Sequence, residues 1–268
     1  MEEKLRQLEL CLRRHAPLLI AYSGGVDSAY LLAFGHRVLG NRMLGVIADS
    51  PSLPRRALSD ALALAEEIGA PVEIVKTEEM RDERYIANPV NRCYFCKAEL
   101  FSRMDRLAAE RHFKAIAYGE NKDDAGQVRP GVKAAVEFSV IAPLKEVGLS
   151  KSEIRRLSGE MGLPTASAPA QPCLSSRIPH GTRVTREALS MVEQGEAFVR
   201  SLGFRVFRVR HIVGKSGRIS ARVQIAPDEM SKLPELQDRI LGGLAAVGYS
   251  STEFDPAGYR TPVPGLPR

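Results

Sequence analysis

An apolar run, Leu18-Leu19-Ile20-Ala21, leads through Tyr22 into Ser23-Gly24-Gly25-Val26-Asp27-Ser28 and then a helical pattern to Leu39. No other stretch constrains the fold as tightly. A short apolar run without alternation reads as a strand buried on both faces. Two glycines let the backbone turn from its end into a helix whose first N–H groups point back at the loop, an arrangement suited to an anion. Ser23 and Ser28 add hydroxyl donors. Asp27 would repel a phosphate unless a divalent cation lay between them, so its place implies Mg²⁺. The loop is not of the Walker type, because the Gly-Lys-Ser/Thr ending is missing. Gly214-Lys215-Ser216 has that ending, but Val209 stands where the leading glycine is required and a strand follows, so it reads as a hairpin turn.

The first half continues the alternation. Further strands are expected at Met43–Ala48, Val72–Val75 and Ala115–Tyr118, and a fifth at Phe138–Ile141, with helices between them. Strands separated by helices make βαβ units, so the expected fold class is α/β: a doubly wound parallel five-stranded sheet, with ligands at the carboxyl ends of the strands. Past residue 165 a proline-rich stretch carries Cys173. Beyond it a helix (Thr185–Leu202), two strands (Arg205–Val213 and Arg218–Ile225), a helix (Asp228–Val247) and a last strand near Thr252 form a second, smaller α/β domain. The expected division is 1–165, an active-site loop or linker at 166–181, the small domain at 182–258, and a proline-rich tail at 259–268.

A chain of 268 residues with 44% hydrophobic residues can bury its core without disulfides. Its net charge of +6 suits a phosphorylated ligand. No apolar run approaches the roughly 18 residues of a membrane span. The charged start, Met1-Glu2-Glu3-Lys4, is unlike a secretory signal. Four cysteines, two of them as Cys93-Tyr94-Phe95-Cys96, argue for a reducing, cytoplasmic setting and a metal or redox role. Both thiolates of such a pair can reach one metal, and Cys173, close to Arg177, is a third ligand or a nucleophile. Cys11, beside Leu12 in the leading amphipathic helix, reads as a small buried hydrophobe.

Ser23–Ser28 resembles the S-G-G-x-D-S signature of the PP-loop, or N-type, ATP pyrophosphatases, which cleave ATP between the α- and β-phosphates and adenylate an oxygen. Asp49-Ser50 fits that family's adenosine side, and Gly119-Glu120-Asn121-Lys122-Asp123-Asp124 resembles its G-T-N-x-x-D segment. The resemblance places ATP against Ala21, Ser23, Gly24, Gly25, Asp27, Ser28, Asp49, Gly119, Asp123 and Asp124, with Mg²⁺ at Asp27. Asp49-Ser50-Pro51-Ser52-Leu53-Pro54-Arg55, Arg129-Pro130-Gly131-Val132-Lys133-Ala134-Ala135 and the Pro172–Pro179 segment narrow the likeness to LarE-type ATP-dependent sulfur transferases, across nearly the whole chain. In that family the cysteine matching Cys173 gives up its own sulfur or joins those matching Cys93 and Cys96 in holding a [4Fe-4S] cluster; all three are present here, which implies the cluster version.

In the second domain, Arg208 and Arg210 share one strand face, and their planar forks suit a nucleotide phosphate. Spacing against the family adds Arg177 as a substrate residue and Glu196 as a metal ligand. Where the next strand of the family carries an acid, this chain has Gln224. The resemblance implies a nucleotide acceptor for the sulfur, pyridinium-3,5-biscarboxylic acid mononucleotide, used in making the nickel-pincer nucleotide cofactor. Self-association into a homo-oligomer is also expected. Two alternatives differ in class. A cluster-dependent tRNA thiolase would need a basic, aromatic surface, and this chain has no Trp. A non-catalytic adenine-nucleotide-binding regulatory subunit would leave the three cysteines without a role.

Overall fold

The computed structural model describes residues 1–124, 130–169 and 171–259. Arg129 and all but the first residue of the proline-rich tail lie outside the described residues. In chain order the elements are α1 (Glu2–His15), β1 (Leu18–Tyr22), α2 (Val26–Leu39), β2 (Met43–Asp49), α3 (Arg55–Glu67), β3 (Val72–Lys76), α4 (Glu83–Ile86), α5 (Arg92–Arg111), β4 (Ala115–Tyr118), α6 (Pro130–Glu137), α7 (Pro143–Glu146) and α8 (Lys151–Glu160). Then follow α9 (Arg186–Ser201), β5 (Phe207–Val213), β6 (Ile219–Ile225), α10 (Leu233–Val247) and β7 (Ser251–Phe254). The chain forms two compact units, one of residues 1–79 and 91–171, the other of residues 80–90 and 172–268. No described helix is long and apolar enough to cross a membrane.

The first unit is a parallel sheet in the order β3-β2-β1-β4. The period of two along β1 explains why it is apolar throughout. Leu18, Ile20 and Tyr22 enter a core shared with α1, α2, α3 and α8, while Leu19 enters a second core with Phe101, Met104 and Ile116. Helix α2 is buried nearly all round, from Val26 through Phe34, so it reads as apolar rather than striped. Each fully buried leucine in these cores contributes roughly 1.5–3 kcal/mol. The expected fifth strand is absent as a strand. Phe138–Ile141 meets the sheet through one bridge, Ala117 to Ile141. Ser139 takes a left-handed φ of 51°, which breaks the extended geometry before a ladder can form. The sheet of this doubly wound fold therefore has four strands.

The second unit carries a three-stranded sheet in the order β5-β6-β7, with β5–β6 antiparallel and β6–β7 parallel. Phe207, Val209, Ala221, Val223 and Ile225 share a core with Val199 of α9 and with Ile240 and Leu244 of α10. Where one helix was expected from Asp228, residues Pro227–Lys232 form a 3-10 turn and α10 begins at Leu233. Buried Glu229 explains the tighter turn, since its carboxylate accepts from the backbone N–H groups of Arg205 and Val206 at 2.9 and 2.8 Å. Residues 80–90 join this unit through Tyr85, whose hydroxyl meets Ser175 Oγ at 2.7 Å, and Asn88, whose amide donates to the carbonyls of Pro179 and Thr182 at 2.8 and 2.9 Å.

Candidate functional site

From β1 the chain runs to β2 and β3 on one side and then to β4 on the other, so a switch point lies between β1 and β4. The Ser23–Gly25 loop leaves β1 at that point, where open α/β sheets bind ligands. Two close approaches explain its glycines. Gly24 has φ +73°, and a Cβ there would lie 2.9 Å from Ala61 Cβ of α3. A Cβ on Gly119, just past β4, would lie 2.8 Å from the Ser28 nitrogen. The start of α2 is thus wedged between α3 and the end of β4.

Hydrogen bonds fix the loop's shape. Ser28 Oγ accepts from the Ser23 N–H at 3.1 Å and donates to the Gly25 carbonyl at 3.0 Å. Ser23 Oγ lies 3.0 Å from Ser28 Oγ, and since the Ser28 proton goes to Gly25, Ser23 is the donor between them. Gly25 caps α2 without a side-chain acceptor, so the first N–H groups of the helix have no capping side chain. Ala21 sits on β1 between Val46 and Tyr118, close beneath the loop.

Asp27 is held at one end and open at the other. Its Oδ2 accepts from Lys151 Nζ at 2.6 Å and from Asn121 Nδ2 at 3.4 Å. Its Oδ1 is buried and has no hydrogen-bond partner. Burial pushes the Asp27 pKa up, partly offset by the bond from Lys151, with nearby Asp124 pushing the same way as burial. An orphaned carboxylate oxygen in the first turn of a helix that follows a glycine loop is a ligand suited to a divalent cation, so the residues fit Mg²⁺. Asp123 Oδ2 accepts the Lys151 backbone N–H at 2.8 Å, and buried Asp124 accepts from the Asn121 N–H at 3.2 Å. At the end of β2, Asp49 pairs with Arg55, whose Nη2 also donates to the carbonyls of Ser50 and Leu53 at 2.6 and 2.8 Å. Next to it Ser50 donates to buried Glu79. Sequence reasoning missed Lys151 and Glu79. The Ser150–Glu153 capping box marks the start of α8, but nothing local says that this start reaches Asp27.

In the second unit Arg177 is 3% exposed and Glu196 6%. Arg177 Nε and Nη2 meet Glu196 Oε1 and Oε2 at 2.8 and 3.0 Å. Its Nη1 donates to the carbonyls of Pro172 and Cys173 at 2.6 and 3.1 Å and to Ser176 Oγ at 2.9 Å. Arg177, expected at a substrate phosphate, thus fastens the Cys173 turn to α9, and Glu196, expected at a metal, has both oxygens on a guanidinium. Arg210 Nη1 donates to the Ser176 carbonyl and its Nε to Gln224 Oε1, both at 2.8 Å, while Gln224 Nε2 donates to Asp255 Oδ2 at 2.8 Å. Arg208 lies on the same strand face over the Tyr259 ring, 4.3 Å from its centre. Burial, with Arg177 nearby, lowers the pKa of Arg208.

Cys93 and Cys96 stand one turn apart at the start of α5, so they share a helix face; Cys93 is exposed and Cys96 half-buried. Half-buried Cys173, at the start of the 3-10 turn Leu174–Arg177, belongs to the second unit. Among the described residues, neither unit gathers three His, Cys, Asp or Glu side chains in a group that could hold a metal ion. Cys11, expected as a small buried hydrophobe, is half-buried and bonds to Glu146; burial, with Glu146 beside it, pushes its thiol up to about 12.

No family model matches the chain. It is 40% identical over 265 residues to the uncharacterized protein slr1717 of Synechocystis sp., covering 97% of this chain and 96% of that one. It is 30% identical over 243 residues to the pyridinium-3,5-bisthiocarboxylic acid mononucleotide synthase of Lactiplantibacillus plantarum, covering 90% of this chain and 86% of the synthase. A subunit of the glutamine-hydrolyzing GMP synthase of Methanopyrus kandleri is 24% identical over 198 residues, which is 66% of this chain and 62% of the relative.

Proposed function

Because this chain belongs to the LarE-type family of pyridinium-3,5-bisthiocarboxylic acid mononucleotide synthases, within the PP-loop superfamily, we propose that it adenylates a carboxylate of pyridinium-3,5-biscarboxylic acid mononucleotide and replaces an oxygen by sulfur. The observation that carries this reading is the extent of the likeness. The GMP synthase polypeptide matches 66% of the chain, whereas the bisthiocarboxylic acid mononucleotide synthase matches 90% of it. A loop shared by many ATP-cleaving enzymes cannot explain the larger match.

In this reading the polyphosphate of ATP lies against the Ser23–Ser28 loop and the first N–H groups of α2. Asp27 Oδ1 would hold Mg²⁺, which when bound would supply positive charge for the departing pyrophosphate. Asp49, Gly119, Asp123 and Asp124 complete the ATP site. Arg208 and Arg210 take the phosphate of the acceptor nucleotide, where planar forks are better matched than ammonium groups. Arg177 keeps the Cys173 backbone in place. Cys93, Cys96 and Cys173 would hold a [4Fe-4S] cluster, which when bound supplies an iron without a protein thiolate as a place for sulfide. The product is a precursor of the nickel-pincer nucleotide, and a reducing cytoplasmic setting suits its chemistry.

Two measurements test this. Protein incubated with ATP, Mg²⁺ and acceptor yields AMP and pyrophosphate; ADP and phosphate instead would refute the reading. Anaerobic purification with iron and sulfide analysis, followed by the peptide mass at Cys173 after turnover, identifies the sulfur source. About four irons per chain with Cys173 intact is the cluster result. Iron-free protein that accumulates dehydroalanine at position 173 means that Cys173 donates its own sulfur.

A further inference from the structure

We propose that Gln224 is a positioning residue of the acceptor-phosphate site. Its neutral amide orients the Arg210 guanidinium and stands between it and Asp255, so that arginine charge holds the phosphate without a divalent cation. The inference rests on the reading of Arg208 and Arg210 as phosphate ligands and adds to it how one of them is held.

The polar face of the second sheet shows what the amide does. Arg208 stands opposite Gln224 across the β5–β6 pair, and Arg210 opposite Arg222, so all four share one face. Their sequence neighbours Val209, Val223 and Ile225 are buried in the core on the other face. Two of these arginines meet different groups from β7 and the residue after it. Arg222 pairs directly with the Glu253 carboxylate, which offsets its charge. Arg210 Nε instead donates to Gln224 Oε1 at 2.8 Å, and Gln224 Nε2 donates to Asp255 Oδ2 at 2.8 Å. A guanidinium only donates and a carboxylate only accepts, so an amide, with one end of each kind, joins them and brings no charge. Arg210 Nη1 also donates to the Ser176 carbonyl at 2.8 Å, and two bonds from separate nitrogens set the guanidinium plane.

The same relay occupies the oxygens that a cation would need. Asp255 Oδ2 holds the Gln224 amide, and its Oδ1 accepts the Ala257 N–H at 3.0 Å. Both Glu196 oxygens accept from Arg177, and Gln224 Oε1 accepts from Arg210. A divalent cation takes several oxygens at once, and here it would have to displace a donor from each. The bond from Gln224 lowers the Asp255 pKa, so that carboxylate stays charged and keeps its hold on the amide. Gln224→Glu would change both ends of the relay. The new carboxylate would face Arg210 as Glu253 faces Arg222, and would stand against the carboxylate of Asp255. The amide therefore orients Arg210 without supplying it a counter-ion, and a planar fork set in place is what a phosphate monoester needs.

The test is calorimetric titration of the full chain with pyridinium-3,5-biscarboxylic acid mononucleotide and with the matching nucleoside, which lacks the phosphate. Wild type, Gln224→Met and Gln224→Glu are each titrated in Mg²⁺ and again in EDTA. Wild type should prefer the nucleotide, with affinities in Mg²⁺ and EDTA that agree within about twofold. Losing the bond that orients Arg210 should weaken nucleotide binding at least about fivefold in Gln224→Met. In Gln224→Glu a carboxylate also competes with the phosphate, and the loss should reach at least about tenfold. Nucleoside affinity should stay within about twofold of wild type in both variants. Nucleotide affinity unchanged within about twofold in Gln224→Glu would overturn the assignment. So would an equal loss for nucleotide and nucleoside, because a residue that merely braces the sheet would weaken both alike. Wild-type nucleotide binding that is lost in EDTA would overturn the cation-free site. If Gln224→Glu does not stay folded, Gln224→Met carries the same comparison. A wild type that binds nucleotide and nucleoside equally removes the phosphate reading of Arg208 and Arg210, whereas a preference that both variants keep removes Gln224 alone.

Discussion

Replacing Arg177 by Met should destabilise the second unit severely, and the structure says by how much. The guanidinium and the Glu196 carboxylate are 4% and 8% exposed at their side chains, so solvent screens neither. Removing the arginine leaves a buried carboxylate whose remaining donor is the Val209 N–H at 3.3 Å. Breaking a buried pair by deleting one partner costs roughly 3–5 kcal/mol, because the other charge stays desolvated and uncompensated. Deleting both should cost less than the sum of the two single changes, since Arg177→Met with Glu196→Leu leaves neither charge of the pair buried without its partner. Urea unfolding followed by far-ultraviolet circular dichroism suits a chain without tryptophan. The double-mutant cycle is the informative quantity. The three Nη1 bonds to the Pro172–Ser176 turn are lost with the side chain, so Cys173 should also react faster with iodoacetamide. A single variant within about 1 kcal/mol of wild type, or a double variant as costly as the sum of the two, would refute the account of this pair.

Asp27→Asn should abolish Mg²⁺-dependent AMP formation without lowering the melting temperature at neutral pH. Burial raises the folded-state pKa of Asp27, so the folded protein binds that proton more tightly than the unfolded chain does, and the contribution to stability falls as pH rises through the folded value; a neutral variant that melts well below wild type at pH 7 would contradict this. Gly24→Ala should cost roughly 1–3 kcal/mol and weaken ATP binding, because φ is +73° and the new methyl meets Ala61 Cβ at 2.9 Å; unchanged thermal melting and ATP titration would rule that out. Arg210→Ala should weaken binding of the acceptor nucleotide by roughly 1.5–3 kcal/mol and leave ATP binding alone, and equal loss of both ligands in a titration would disprove the assignment.

The parts of the fold that could be read from the residues are those set by short-range rules. β1 is buried on both faces and so is continuously apolar, and the glycines that follow are required by a positive φ and by Ala61. The fifth strand failed because strand propensity in Phe138–Ile141 is countered by the left-handed backbone at Ser139, which leaves one bridge to Ala117. That residues 80–90 belong with the second unit depends on the Asn88 amide meeting carbonyls some ninety residues away, and no local pattern encodes it. Arg177 shows the same limit at the site. Its type and position suggest a phosphate ligand equally well, and only the location of Glu196 on α9, opposite the turn, decides that it is a strut.

The charges of the two units point the same way as their proposed ligands. In the first unit the loop that would bind polyphosphate carries Asp27 and has Asp124 near it, which is unfavourable for an anion alone and favourable for an anion that arrives with a metal. The raised pKa of Asp27 and its unpartnered oxygen both favour taking up a cation there. In the second unit Arg177, Arg208 and Arg210 stand near two carboxylates, Glu196 and Asp255, and Glu196 is already paired with Arg177. The excess is positive, and burial, with Arg177 and Arg210 nearby, lowers the pKa of Arg208. An anion without a metal would offset that excess. These charges suit the ligands of the proposed reading, metal-bound polyphosphate in one unit and a phosphate monoester in the other.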